Sequence, residues 1–198
     1  MEKRITLDQG NLNPNFIGAW LIDKAICDDL IEYYEHNPGQ QIKANSSVGL
    51  DQDIKDRNDI SIFPKDIALE KNQIFKIYFQ SLFECYKDYN HQWPFLASIV
   101  DQLDIGSFNI GKYKAGQHFQ KVHCERSGLD SLHRLFAFMT YLNDVENGGY
   151  TYFNHYDLNI KPKKGLTIIW PAEWTHAHQG KVLESGVKYI TTGWLNFK

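Results

Sequence analysis

The sequence predicts an α+β fold, with N-terminal helices supporting a double-stranded β-helix, or jelly roll, in the C-terminal half. Two observations carry this. Apolar residues recur at helical spacing before residue 92, and after Trp93-Pro94 short β-rich runs follow one another between turn signals. A third is length: 198 residues suit one well-buried core and are few for two independent domains. The expected organisation is a single domain over residues 1–198, with helical support over about 14–92 and the jelly-roll core over about 100–198.

The first helix is read in LIDKAICDDLIEYYEH, residues 21–36, with Asp23 as N-cap and Asn37-Pro38-Gly39 as stop signal. The following stretch up to Ile60 is polar and turn-rich, a long loop feeding a short strand. A second helix is read in residues 66–89. Ile74, Tyr78, Ser81, Leu82 and Cys85 share one face, and Phe75, Phe79, Phe83 and Tyr86 form an adjoining stripe suited to packing on a sheet. Strands are expected in FNIGKY, RLFAFMTYL, YTYF, LNIKP, LTIIWP and KYITTGWLNF, at spacings that suit antiparallel pairing.

Composition excludes several classes of function. The chain is 42% hydrophobic and 23% charged, with no apolar run long enough to cross a bilayer. No apolar core follows the charged start MEKRITLDQG, so no secretory signal is read and a cytoplasmic location is expected. Cysteines 27, 85 and 124 are odd in number and lack a CxxC pair, which argues against a disulfide framework or a zinc ribbon. A formal charge of −3 with scattered lysines gives no footprint for a phosphate backbone, so neither nucleic acid nor membrane is an expected partner.

Chemistry concentrates in KVHCERSG. If this run is extended, His123 and Glu125 share a face and Cys124 points the other way. Imidazole plus carboxylate is ligand chemistry for divalent iron, manganese or zinc, and a third ligand from a distant strand would complete a facial triad. WTHAHQG offers His176 or His178, and spacing alone does not choose between them. Lys188 opens a strand in which positions 188, 190, 192 and 194 share a face. If that face is interior, the lysine calls for an anion, and a small dicarboxylate beside the metal would serve. The plainer reading leaves Lys188 at a solvated strand end and Tyr113 in the core.

The succession KYKAGQHFQKVHCE, MTYLNDVENGGYTYF, IKPKKGLTIIWP and HQGKVLESGVKYITTGW resembles the prolyl 4-hydroxylase-like branch of the iron(II)- and 2-oxoglutarate-dependent dioxygenases, over about residues 105–197. The resemblance implies His123, Glu125 and His178 as iron ligands, with His176 a neighbour. It implies Lys188 as partner of the distal carboxylate of 2-oxoglutarate, Tyr113 as a hydrogen-bond donor to the same molecule, and Tyr141 and Trp194 as pocket lining. Arg126, Arg134 and the loop over residues 44–60 are further candidates for contact with substrate. The implied cofactors are iron(II), 2-oxoglutarate and dioxygen, with ascorbate as an optional accessory. The implied reaction is hydroxylation of a substrate C–H, above all at a prolyl residue of a peptide or protein, with succinate and carbon dioxide as co-products. Two departures stand out: Glu125 replaces the family's commoner aspartate, and Tyr150 replaces the acid that often follows Gly-Gly. The rival readings are a metal-binding jelly-roll module without redox activity and an oxygenase acting on a small molecule.

Overall fold

In the computed structural model, which describes residues 3–7, 15–44, 51, 53–100 and 102–198, the alternation of the C-terminal half resolves into two antiparallel sheets. The N-terminal part contributes β1 (Lys3–Arg4), β2 (Gly18–Leu21), α1 (Lys24–His36), β3 (Ile42–Lys43), β4 (Lys55–Asp56), β5 (Asn58–Ile62), α2 (Pro64–Ile67), α3 (Gln73–Gln92) and α4 (Leu96–Ile99). The remainder contributes β6 (Leu103–Ile105), β7 (Phe108–Lys114), β8 (His118–His123), β9 (Arg134–Tyr141), β10 (Thr151–Phe153), β11 (Leu158–Ile160), β12 (Leu166–Pro171), β13 (His178–Gly180) and β14 (Val187–Phe197).

The larger sheet runs β1-β2-β12-β9-β14-β7-β5-β3, with β6 also on β14, and the smaller runs β11-β10-β13-β8-β4. Strand parity sorts side chains to opposite faces of the large sheet. Phe136 and Phe138 of β9, with Phe108 and Ile110 of β7, meet the helices on the outer face. Ala137, Met139 and Tyr141 of β9, with Tyr113 of β7, turn toward the small sheet. This is a jelly roll with helices against one outer face, as the periodicity implies.

The helices follow from their apolar stripes. Asp23 caps α1 by accepting a hydrogen bond from the Ala25 amide (2.9 Å), so the helix starts at Lys24 and Leu21 ends a strand instead. Leu30 and Tyr34 of α1, and Phe75, Tyr78, Leu82, Cys85 and Tyr89 of α3, are buried against the sheet. Phe83 departs from the expected stripe and is 57% exposed. Successive helix residues turn by about 100°, and with Leu82 on the buried face Phe83 must look outward.

The expected loop over residues 44–60 is partly strand. Lys55–Asp56 pairs with β8 and Asn58–Ile62 pairs with β7, which carries the residues between and within them to the inter-sheet space. Residues 45–50 and 52 of that loop, and residue 14, where the helical support was expected to begin, lie outside the described residues. Among the described residues, no helix is long and apolar enough to cross a membrane.

Candidate active site

The two sheets enclose a cavity of about 560 Å³ lined by residues of both, including Lys55, Arg57, Tyr113, His123, Glu125, Thr151, His178, Lys188, Thr192 and Trp194. Antiparallel pairing of β8 with β13 places His123 directly opposite His178, and their ring centroids lie 4.4 Å apart. Glu125 stands two residues after His123, beyond the end of β8. The Glu125 and Arg126 amides both donate to Ala172 O (3.1 and 2.9 Å), which ties the segment to the end of β12. Ligand atoms of His123, Glu125 and His178 consequently fall within 4.8 Å of one another.

Hydrogen bonds behind the rings decide what faces inward. His123 Nδ1 lies 2.8 Å from Lys121 O, and His178 Nδ1 lies 2.9 Å from His176 O. Each Nδ1 therefore carries the proton, and Nε2 is the ligating nitrogen, as in metal-bound histidines. The Nε2 atoms lie 3.7 and 3.3 Å from Glu125 Oε1. A divalent ion satisfies the same geometry with neutral rings, so the donor set fits iron(II). Burial and the neighbouring His178 push His123 down to about 4, which keeps its ring neutral at ordinary pH. Burial alone would raise the Glu125 carboxyl, but His178, His123 and the Trp194 N–H outweigh it and hold the group at about 2.

Glu125 is further fixed by Trp194 Nε1, which donates to Oε2 at 2.7 Å, and by Arg134, whose Nη1 donates to Glu125 O at 2.9 Å. The Arg134 guanidinium stacks 3.7 Å above the Trp194 ring. The additional methylene of glutamate over aspartate thus lets one carboxylate oxygen face the histidines while the other reaches the indole. His176 belongs elsewhere. It lies in a 3-10 turn, is buried, and its Nε2 contacts Asn15 O (2.9 Å) and Tyr156 Oη (3.2 Å).

Lys188 is 3% exposed, so the face shared by positions 188, 190, 192 and 194 is indeed interior. Its Nζ donates to Gly149 O (2.8 Å) and sits 4.1 Å from the centre of the Tyr113 ring. Burial and the nearby Arg57 push it down to about 7. Gly148 and Gly149 adopt φ of +74° and +68°, and a Cβ on Gly148 would lie 2.3 Å from Val182 O, so this turn requires glycine. Two buried cations, Lys188 and Arg57, face the cavity with Asp59 as the carboxylate bonded to Arg57, an environment that fits an anionic co-substrate.

Two of the sequence expectations are corrected. Tyr141 does not line the cavity; it is fully buried behind the wall, and its hydroxyl donates to Thr151 Oγ1 (2.5 Å), which does line it. Arg126 does not line it either, because its guanidinium is engaged by Arg134 O and the Glu173 carboxylate. Sequence reading missed Arg57 as a cavity residue. Its segment shows neither helical nor clear two-residue periodicity, and only the pairing of β5 with β7 brings it inward.

Residues 108–196 match the family model described as the 2OG-Fe(II) oxygenase superfamily. Among curated proteins, a probable prolyl 4-hydroxylase 9 of Arabidopsis thaliana is 30% identical over 125 residues, covering 50% of this chain and 43% of that protein. The prolyl 4-hydroxylase subunit alpha-2 of Gallus gallus is 26% identical over 109 residues, covering 49% of this chain and 20% of that protein. The matched region is thus less than half the length of either relative. Similar solved structures include a Pseudomonas putida prolyl-4-hydroxylase, with a TM-score of 0.71, 13% identity and coverage of 95% of this chain and 96% of that one. The viral collagen prolyl hydroxylase of Paramecium Bursaria Chlorella virus-1 in its 2OG complex gives 0.67 and 18%, covering 96% and 100%. A Trichoplax adhaerens prolyl hydroxylase bound to a hypoxia inducible factor peptide fragment gives 0.68 and 14%, covering 94% and 86%. At these identities the structural likeness establishes the jelly-roll fold.

Proposed function

Since residues 108–196 carry a domain of the 2OG-Fe(II) oxygenase superfamily and the chain is prolyl 4-hydroxylase-like, we propose that it hydroxylates a prolyl residue of a peptide or protein. The observation that carries this reading is one cavity holding both the His123, Glu125 and His178 donor set and the buried Lys188. Iron(II), 2-oxoglutarate and dioxygen would supply the oxidation: the co-substrate loses carbon dioxide and takes up one oxygen atom of dioxygen to become succinate, and the other oxygen atom goes into the substrate C–H bond as a hydroxyl.

The chain's own residues bind, orient and shield. His123, Glu125 and His178 would hold the metal, and they are fixed by the carbonyls of Lys121 and His176 and by Trp194. Lys188 neutralises the distal carboxylate of 2-oxoglutarate, and Tyr113 donates a hydrogen bond to the same molecule. Phe119, Trp170 and Ile190 line the remaining wall and exclude water from it. Val122, 46% exposed, continues the apolar lining outward from the cavity. An extended prolyl segment loses little entropy on docking at such a surface.

The test is incubation of iron-loaded protein with 2-oxoglutarate, oxygen and a proline-containing peptide library. Expected are succinate release and single-oxygen additions localised to proline. Succinate release driven only by a small metabolite would overturn the peptide assignment, and metal binding without any succinate would favour a non-redox module.

A further inference from the structure

Arg57 lies between β4 and β5, within the stretch expected as a loop over residues 44–60, and it is 4% exposed and lines the cavity. Its Nη2 donates to Asp59 Oδ2 at 3.1 Å, and its Nε stands in ion-pair contact with Asp59 Oδ1 at 2.7 Å, so one side of the guanidinium faces one carboxylate. The remaining nitrogen, Nη1, donates to Tyr113 Oη at 2.8 Å. Gly111 makes room for this pair. A Cβ there would stand 2.6 Å from Asp59 Oδ1 and 3.1 Å from Arg57 Nε.

The direction of the Arg57 to Tyr113 bond matters. A guanidinium only donates, so the phenol oxygen must accept, and the tyrosine's own hydrogen is turned toward another acceptor. Tyr113 lines the cavity and is the direct cross-strand partner of Lys188. The Lys188 ammonium and the Arg57 guanidinium both lie against its ring, at 4.1 and 5.4 Å from the centroid. We infer that Arg57, braced by Asp59, is a positioning residue that locks the Tyr113 hydroxyl as a donor aimed at the oxo-acid co-substrate, beside Lys188. Burial also keeps Tyr113 protonated, since it raises the phenol above its ordinary value against the opposing effect of Arg57. The inference rests on the co-substrate reading given above and adds to it two residues, Arg57 and Asp59.

A double-mutant cycle on binding tests it, with the dissociation constant of 2-oxoglutarate measured by calorimetric titration into manganese(II)-loaded protein. Arg57→Lys keeps the charge and a contact to Asp59 but lacks the planar guanidinium that reaches Asp59 and Tyr113 together. The expected result is a roughly tenfold weaker affinity for Arg57→Lys and for Tyr113→Phe, with the double variant no weaker than the worse single one, because both remove the same donor. Should Arg57→Lys fail to give a cooperative melt, Asp59→Asn releases the brace while leaving Arg57 in place, and a similar loss is expected. Additive effects, or unchanged affinity in the folded Arg57→Lys or Asp59→Asn protein, would overturn the positioning role while leaving the oxygenase reading intact. Absence of 2-oxoglutarate binding by the manganese-loaded wild type would overturn both.

Discussion

Replacing Lys188 by methionine removes the ammonium from the cavity while keeping the length of the side chain. The fall of this lysine from an ordinary 10.5 to about 7 corresponds to on the order of 5 kcal/mol for holding the charge in the closed protein. Between these two values the folded chain binds fewer protons here than the unfolded chain, so this group's contribution to stability rises with pH across that window. A dicarboxylate reverses the balance, since it stabilises the ammonium against burial and the Arg57 charge, and binding above pH 7 must draw a proton from solvent. With a value near 7, about nine-tenths of the lysine is protonated at pH 6 and about one-tenth at pH 8. Affinity of the wild type for 2-oxoglutarate should then fall about tenfold between those pH values, and proton uptake should rise from near zero to nearly one per site. The Lys188→Met protein should lose on the order of 2 to 5 kcal/mol of binding at pH 6, about 1 less at pH 8, and show a flatter profile up to pH 7, above which Lys55, held at about 8, is the remaining titrating lysine of the cavity. Calorimetric titration in two buffers of different ionisation enthalpy reads both affinity and proton uptake. A wild-type affinity independent of pH, with no proton taken up at pH 8, would refute the placement of the anion against Lys188.

Three further outcomes are expected. His178→Ala should lose bound metal on elemental analysis, whereas His176→Ala should keep it and instead melt earlier, by about 1 to 3 kcal/mol for the buried Asn15 and Tyr156 contacts it abandons; the reverse ranking would move the third ligand to His176. Trp194→Phe removes the N–H on Glu125 Oε2 while keeping an aromatic ring, and metal affinity by competition with a chelator should fall about 10- to 100-fold. An unchanged affinity would mean that the indole does not orient the carboxylate. Gly148→Ala forces a methyl toward Val182 O at positive φ and should cost about 1 to 3 kcal/mol in urea unfolding, with no change expected only if the turn adopts another conformation.

The sequence by itself determined what depends on near neighbours. Asp23 as a cap, the α3 stripe around Tyr78 and Leu82, and the alternation that puts positions 188, 190, 192 and 194 on one face are all local consequences of helical and strand geometry. The motif order from Tyr113 to Trp194 likewise stood in the text of the chain and pointed to His123, Glu125 and His178 together. What only the tertiary structure decided is which groups end up facing one another. A 3-10 turn over residues 174–176 breaks the alternation that would have set His176 beside His178, and turns His176 toward Asn15 and Tyr156. Tyr141 lies on the inward face as its parity requires, but Thr151 stands between its hydroxyl and the cavity. Arg57 is the furthest from legible, because its burial is not encoded in its own neighbours. It is set by the pairing of Asp59 with Gly111, about fifty residues away, and by the absence of a side chain there. Secondary structure follows local periodicity, whereas the burial of a charge is settled by the distant strands that enclose it, even where its partner, as Asp59 is for Arg57, stands two residues away.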